Sequence, residues 1–197
     1  MKMSMAIGLL VTLVPLGLAL AGNNPQVKVA VHVVPHSSGL DCAGLPAIAS
    51  CEDITTTCAA AGFDAFPVFF DLTEFKGVGY GLCWPDWEAS AAWTQCADEA
   101  VGSIARPGDG LYQTWTECRT QRVLVAGWAW IYADGPGIVA VCNHPETHVV
   151  EVLDCSLAPD TPTANYSAGV AGTQGDDPCA VSVTSPTTWG AIKGMFE

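Results

Sequence analysis

The sequence predicts an all-β protein: an antiparallel β-sandwich stabilised by disulfides, with one short helix near residues 50–61 and a flexible C-terminal extension. Three features predict it. Short stretches rich in Val, Phe, Trp and Tyr recur between Gly/Pro turns, as in sandwiches built from many short strands. Several alternate apolar and polar residues with period two, the pattern of a strand with one face on a core. Nine cysteines all follow a stretch that reads as an export leader, and exported chains form disulfides.

Residues 1–21 are expected to be a signal peptide. Lys2 gives a minimal basic start, Ile7 to Leu20 an apolar run, and Ala19-Leu20-Ala21 a small-x-small cleavage site. The run is short for a membrane span and Pro15 interrupts it. Residues 22–155 are assigned to the sandwich, 156–188 to a Pro/Thr/Gly-rich extension and 189–197 to a short apolar tail.

Gln26 to Val34 opens the sandwich, with Val27, Val29, Val31 and Val33 on one face and Lys28, Ala30 and His32 on the other. Ser50, three residues before Asp53, has the spacing of a capping box. It starts a helix over Glu52–Ala61 that Gly62 ends, although Thr55 to Thr57 disfavour helix. Phe66 to Phe75 is the next strand, with Phe66, Val68, Phe70 and Leu72 on one face and Pro67 marking an edge. Lys76-Gly77 is read as a turn and Val78 to Trp84 as the returning arm of a hairpin. Ala91–Cys96, Val101–Ala105 and Leu111–Cys118 follow, the last two separated by the turn Pro107-Gly108-Asp109-Gly110.

Arg122 to Asp134, RVLVAGWAWIYAD, is the central strand. Strict alternation places Leu124, Trp128, Trp130 and Tyr132 on one face and Val123, Val125, Ala129 and Ile131 on the other. Gly127 marks a bulge or a close backbone approach. Asp134-Gly135-Pro136-Gly137 turns the chain into Ile138–Cys142, a second hairpin, and Thr147–Leu153 is the last strand. Ser156 to Thr188 holds few large apolar residues and builds no core of its own. Trp189, Ile192 and Phe196 return at helical spacing.

The formal charge is −13, from 7 basic and 20 acidic residues. That balance argues against nucleic acid and anionic membrane surfaces, which both need Lys and Arg. The cysteines lack the close pairs of zinc sites. Short-range closure favours Cys42–Cys51, Cys96–Cys118 and Cys155–Cys179, each closing a loop worth roughly 2–3 kcal/mol in the chain-entropy model. Cys58, Cys83 and Cys142 compete for a fourth bond, and the odd count leaves one thiol free or intermolecular.

No nucleophile elbow, zincin motif or phosphate loop is present, and no catalytic residue is assigned. His144 and His148 read as loop histidines rather than ligands. Asp71, Glu74, Asp86 and Glu88 lie near Trp84 and Trp87 in sequence and are the carboxylates a polysaccharide hydrolase would use. Asp109, Asp134, Asp176 and Asp177 sit in acidic turns of the kind that hold structural calcium. Trp84, Trp87, Trp128, Trp130 and Tyr132 are the candidate ligand-binding residues: tryptophans form a stacking platform for a sugar or fill a core. Core filling is preferred for Trp128 and Trp130, and exposure for Trp87.

The phrases YGLCWPDW, RPGDG, GWAWIYADGPG, VLDC and GDDPC, followed by TTWGAIK, resemble a group of uncharacterised secreted, cysteine-containing all-β proteins of uncultured bacteria with a short C-terminal tail. The resemblance carries no catalytic residue across and implies a sorting or anchoring partner for the tail. The expectation is a secreted or cell-surface, non-enzymatic structural or binding module. Its partners are an extracellular glycan or its own copies, met through sheet edges and a spare thiol. The alternative is a secreted carboxylate-dependent polysaccharide hydrolase or carbohydrate-binding protein.

Overall fold

The computed structural model describes residues 22–85, Trp87 and residues 92–180. The expected signal peptide, Asp86, Glu88 and the expected apolar tail lie outside the described residues. Fourteen strands and one 3-10 turn are present among them. The strands are β1 (Lys28–Pro35), β2 (Thr57–Cys58), β3 (Gly62–Phe70), β4 (Phe75–Cys83), β5 (Ala92–Gln95), β6 (Glu99–Gly102) and β7 (Gly110–Arg119). They continue with β8 (Val123–Val125), β9 (Gly127–Tyr132), β10 (Gly137–Cys142), β11 (Glu151–Leu153), β12 (Pro159–Asp160), β13 (Asn165–Tyr166) and β14 (Ala168–Val170). One sheet runs β13-β1-β3-β9-β5, with β8 also on β3. The other runs β12-β11-β4-β10-β14-β2, with β7 joining β4 to β6. Most pairs are antiparallel, and β1–β13 and β14–β2 are parallel.

The two layers close on one core. Val27, Val29, Val31 and Val33 meet Val78, Tyr80, Leu82, Leu111, Val139 and Val141, as the period-two patterns anticipate. A second apolar cluster lies on the outer face of the first sheet: Ala30, Phe66, Val68, Phe70 and Trp128. Leu40, Leu45 and Ile48, from the segment between β1 and the 3-10 turn, cover it. The first sheet is therefore apolar on both faces, one under the second sheet and one under a loop.

The central strand departs from strict alternation. Ala65 pairs with Ala129 and Val68 with Val125, so two residues of β3 face three of the β8–β9 segment. This is a β-bulge. Gly127 carries it at φ +148°, and a Cβ there would run into the Thr94 carbonyl oxygen. Downstream of it the faces invert. Leu124 and Ala126 face the main core with Ala129 and Ile131, while Trp128 joins Val123 and Val125 on the outer face. Pro67, expected at an edge, sits in the interior strand β3 opposite this bulge. Its carbonyl accepts from Ala126 N–H, and a strand residue directs N–H and C=O to the same neighbour. Its missing donor thus faces a point where the ladder is already broken. The Ala126 carbonyl accepts from Gln113 Nε2 at 2.7 Å across the core, and Gln113 Oε1 accepts from the Tyr80 hydroxyl at 3.0 Å.

Other expectations are corrected. The helix over 52–61 shrinks to a 3-10 turn at Cys51–Asp53 with its Ser50–Asp53 capping box intact. Beyond it the β-branched run stays extended, with Val33 N–H donating to the Thr55 carbonyl and Thr57 entering β2. Lys76 and Gly77 lie within β4. The chain turns earlier, between β3 and β4, where Asp71 takes φ +60°. Neither expected hairpin forms: β3 and β9 belong to one sheet, β4 and β10 to the other. Strand periodicity is blind to the layer a strand joins. Residues 156–180, expected as part of an extension, supply β12, β13 and β14. The buried Asp154 and Asp160 carboxylates accept from the Asn23 and Asn24 N–H groups, which ties this segment to the start of β1.

The disulfides are Cys42–Cys96, Cys51–Cys179, Cys83–Cys142 and Cys118–Cys155. None is a sequence-neighbour pairing of the kind expected. Their separations run from 37 to 128 residues, because a sandwich juxtaposes strand ends and loops that are far apart in sequence. Cys58 is the free thiol and is buried, so it offers no intermolecular bond.

Two outcomes are expected. Reduction under denaturing conditions should add eight hydrogens to the intact mass, and Cys58 should resist alkylation until the protein unfolds; a freely alkylated native thiol would contradict its burial. Gln113→Leu strands the Ala126 carbonyl and the Tyr80 hydroxyl, and should cost about 2–4 kcal/mol in urea denaturation. A change within experimental error would show that the cross-core bonds do not hold the bulge.

Candidate binding face

The bulge decides which aromatic side chains the molecule displays. Trp128, at the inverted register, packs under the loop against Phe66 at 6.3 Å between ring centroids and is 6% exposed. Trp130 and Tyr132, two and four residues on, continue along the same outer face beyond the loop's cover. They are 40% and 53% exposed. Trp84 is buried in the main core, and Trp87 is half-buried, edge-on to Phe63 at 6.4 Å. Trp130, expected to fill the core, is thus displayed, because the bulge rather than simple alternation sets its face.

Beside the displayed rings stands a pair that sequence reasoning passed over. Asp64 lies opposite Trp130 in the β3–β9 register and its side chain is wholly buried. Its Oδ1 is 2.9 Å from His36 Nδ1, and its Oδ2 accepts from Ser37 N–H at 3.0 Å. The carboxylate accepts at Oδ1, so Nδ1 carries a proton, and in the neutral ring Nε2 is the nitrogen with the lone pair. The His36 ring packs on Trp130 at 5.1 Å. A signal for this pair existed: Asp64 is the one acid within the apolar run GFDAFPVFF, and a buried acid demands a partner. The partner's identity was hidden, because His36 lies 28 residues away.

The remaining candidates are dispersed. Asp109 Oδ2 accepts from the Ala105 and Arg106 N–H groups, Asp176 Oδ2 from Ser167, and Asp177 Oδ1 from Cys179 N–H. Asp134 is exposed just beyond Tyr132. Asp109 and Asp177 close their own turns, Asp176 ties its loop back to Ser167, and the four carboxylates are not gathered around one point. Among the described residues the single group with metal-ligand proximity is Glu74, Cys118 and Cys155; the two sulfurs are bonded to each other, so no thiolate is available. His144 is buried against Tyr112 at 4.4 Å, and the His148 N–H donates to the His144 carbonyl. Asp71 accepts from Lys28 Nζ at 2.9 Å, with Arg122 at 3.8 Å, and this hydrogen bond raises the lysine above its ordinary range. The three line a cleft of about 240 Å³ with Phe70 and Cys51. It contains one carboxylate and no tryptophan. On the covered face, burial lowers His32, whose Nδ1 accepts from Thr55 N–H.

No protein-family model matches the chain, and no curated protein matches it by sequence. Solved structures do match. A type II cohesin domain from the cellulosome of Acetivibrio cellulolyticus aligns with a TM-score of 0.50 at 8% identity, over 75% of this chain and 96% of that one. The fold is cohesin-like. A second type II cohesin module, from the adaptor ScaA scaffoldin of the same organism, aligns at TM-score 0.46 and 7% identity over 84% and 97% of the two chains. A cohesin module from a Clostridium perfringens family 33 glycoside hydrolase aligns at 0.41 and 12%, over 59% and 89%. At such identities the likeness is one of fold alone. No helix among the described residues is long and apolar enough to cross a membrane.

The two neighbouring tryptophans should respond differently to truncation. Trp128→Ala should cost about 3–5 kcal/mol, as a buried aromatic does, and Trp130→Ala less than about 1 kcal/mol. Thermal and urea melts of the two variants check this. Equal losses would mean that the strip is packed rather than displayed.

Proposed function

We propose that this chain is an extracellular, non-enzymatic binding module, with the Trp130–Tyr132 strip as its contact surface. The exposed pair of large rings on an interior strand is the observation that carries this reading. Interior sheet positions of a compact domain are ordinarily covered, and displayed aromatic patches mark interaction sites. The strip stands on a scaffold pinned by four disulfides, which keeps the ordering cost of binding low. The disulfides also support an exported location, in line with the leader expected over residues 1–21. The cohesin-like fold is compatible with a module of this kind.

The hydrolase reading has less support. Glycoside hydrolysis needs two carboxyl groups flanking a bound sugar. Asp71 is neutralised by Lys28 and Arg122 in a cleft without tryptophan, and Glu74 accepts from Asn23 Nδ2 at 2.8 Å. Self-association through a thiol loses its basis with Cys58 buried; edge strands such as β6, where Val101 is exposed, remain the route by which copies would meet.

Purified protein incubated with soluble polysaccharides should release no reducing ends above a heat-treated control. Release that disappears in Asp71→Asn or Glu74→Gln would replace the module by the hydrolase.

A further inference from the structure

We infer that the strip formed by Trp130, Tyr132 and the Nε2 edge of His36 is a binding site for a neutral saccharide. The inference rests on the binding-module reading and names its ligand class. Trp130 and Tyr132 occupy alternate positions of β9, so their Cα atoms stand roughly 6.6 Å apart along one face. Two exposed rings on one face offer apolar surface on which a flat, C–H-rich sugar face can rest.

The second observation is the polar group fixed beside the rings. His36 is held by a carboxylate that is itself wholly buried and has both oxygens engaged, one by the imidazole and one by Ser37 N–H. Such a carboxylate orients the ring and sets its tautomer. The imidazole is 40% exposed and packs against Trp130. Among the described residues nothing bonds to Nε2, so the neutral ring presents that nitrogen's lone pair at the rim of the aromatic surface. Apolar surface with one or two fixed polar groups is the general form of a small-molecule subsite. A pyranose matches it: its apolar face meets the rings, and a hydroxyl at its edge donates to Nε2.

Charge selects among sugars and against other partners. The chain carries −13, which repels uronic and sulfated glycans at low salt. A lysine- or arginine-bearing peptide would be drawn by the overall charge, but it would need an exposed carboxylate beneath the rings. Asp64 is buried and satisfied; Asp134, at the end of the strip, is the one exposed acid next in sequence to the rings. A neutral ligand needs neither attraction nor a counter-charge.

The test is native affinity electrophoresis of the protein in gels containing barley β-glucan, xylan or galactomannan, with polygalacturonate and poly-lysine as charged probes. Retardation by at least one neutral polysaccharide is expected, weakened about tenfold or more by Trp130→Ala and by Tyr132→Ala. His36→Gln, whose amide keeps a donor for Asp64 while removing the ring lone pair, should weaken it severalfold with an unchanged melting temperature. Melting curves of all three variants separate lost binding from lost fold. Absence of retardation by every neutral polysaccharide overturns the saccharide assignment, as does retardation that the strip variants leave intact. Strip-dependent binding of poly-lysine alone would likewise overturn it while leaving the binding-module reading in place. If neither class of probe binds through the strip, the assignment of the strip as contact surface falls as well.

Discussion

The carbonyl of Ala126, freed from its ladder by the bulge at Gly127, accepts a hydrogen bond from Gln113 of the opposite layer. The display of aromatic residues depends on that arrangement. One extra residue in a strand exchanges every side chain beyond it between faces. Without it, Trp128, Trp130 and Tyr132 would project into the space between the sheets, where Ala129 and Ile131 now fit. The extra residue also opens the ladder opposite Pro67, which has no N–H to offer. Bulge, proline and buried glutamine are a single solution: a break in hydrogen bonding placed where one donor is missing and where a side chain from across the core serves the orphaned acceptor.

The inverted register creates a second requirement. The outer face of the first sheet carries Phe66, Val68, Phe70 and Trp128, and each such side chain gains roughly 1.5–3 kcal/mol when removed from water. Residues 37–50 supply the cover. They have little regular structure, so their order comes from Leu40, Leu45 and Ile48 beneath and from disulfides at Cys42 and Cys51. Trp130 and Tyr132 lie beyond this cover. The exposed strip is therefore the remainder of an apolar face that is otherwise sealed, with the Asp64–His36 pair at its margin.

Much of the scaffold was legible in the residues. The valines of β1, the aromatic run of β3, the PGDG turn before β7 and the Ser50–Asp53 capping box are local signals, and local geometry followed from them. The candidate binding face was legible only in part. Trp130 and Tyr132 were singled out, but their exposure depended on the register at Gly127, where the sequence marked a bulge or a close backbone approach without saying which faces it would exchange. His36 was invisible as a site residue because its role comes from Asp64, on another strand. The acidic turns show the converse: Asp109, Asp176 and Asp177 drew attention as ligands, and their carboxylates cap the N–H groups of nearby chain.

By itself the sequence determined the class of the protein: short strands, a strand-rich core, a cysteine framework and a strongly acidic surface, all set by composition and by periodicities a few residues long. Tertiary structure alone decided which strands share a sheet, which cysteines meet, and which tryptophans face water. These are relations between segments distant in the chain. Two strands with the same alternation fit either layer equally well, and a cysteine pairs with whichever partner the layers bring within reach. The face presented by Trp130 turns on one inserted residue, whose cost is met by Gln113 from the other sheet.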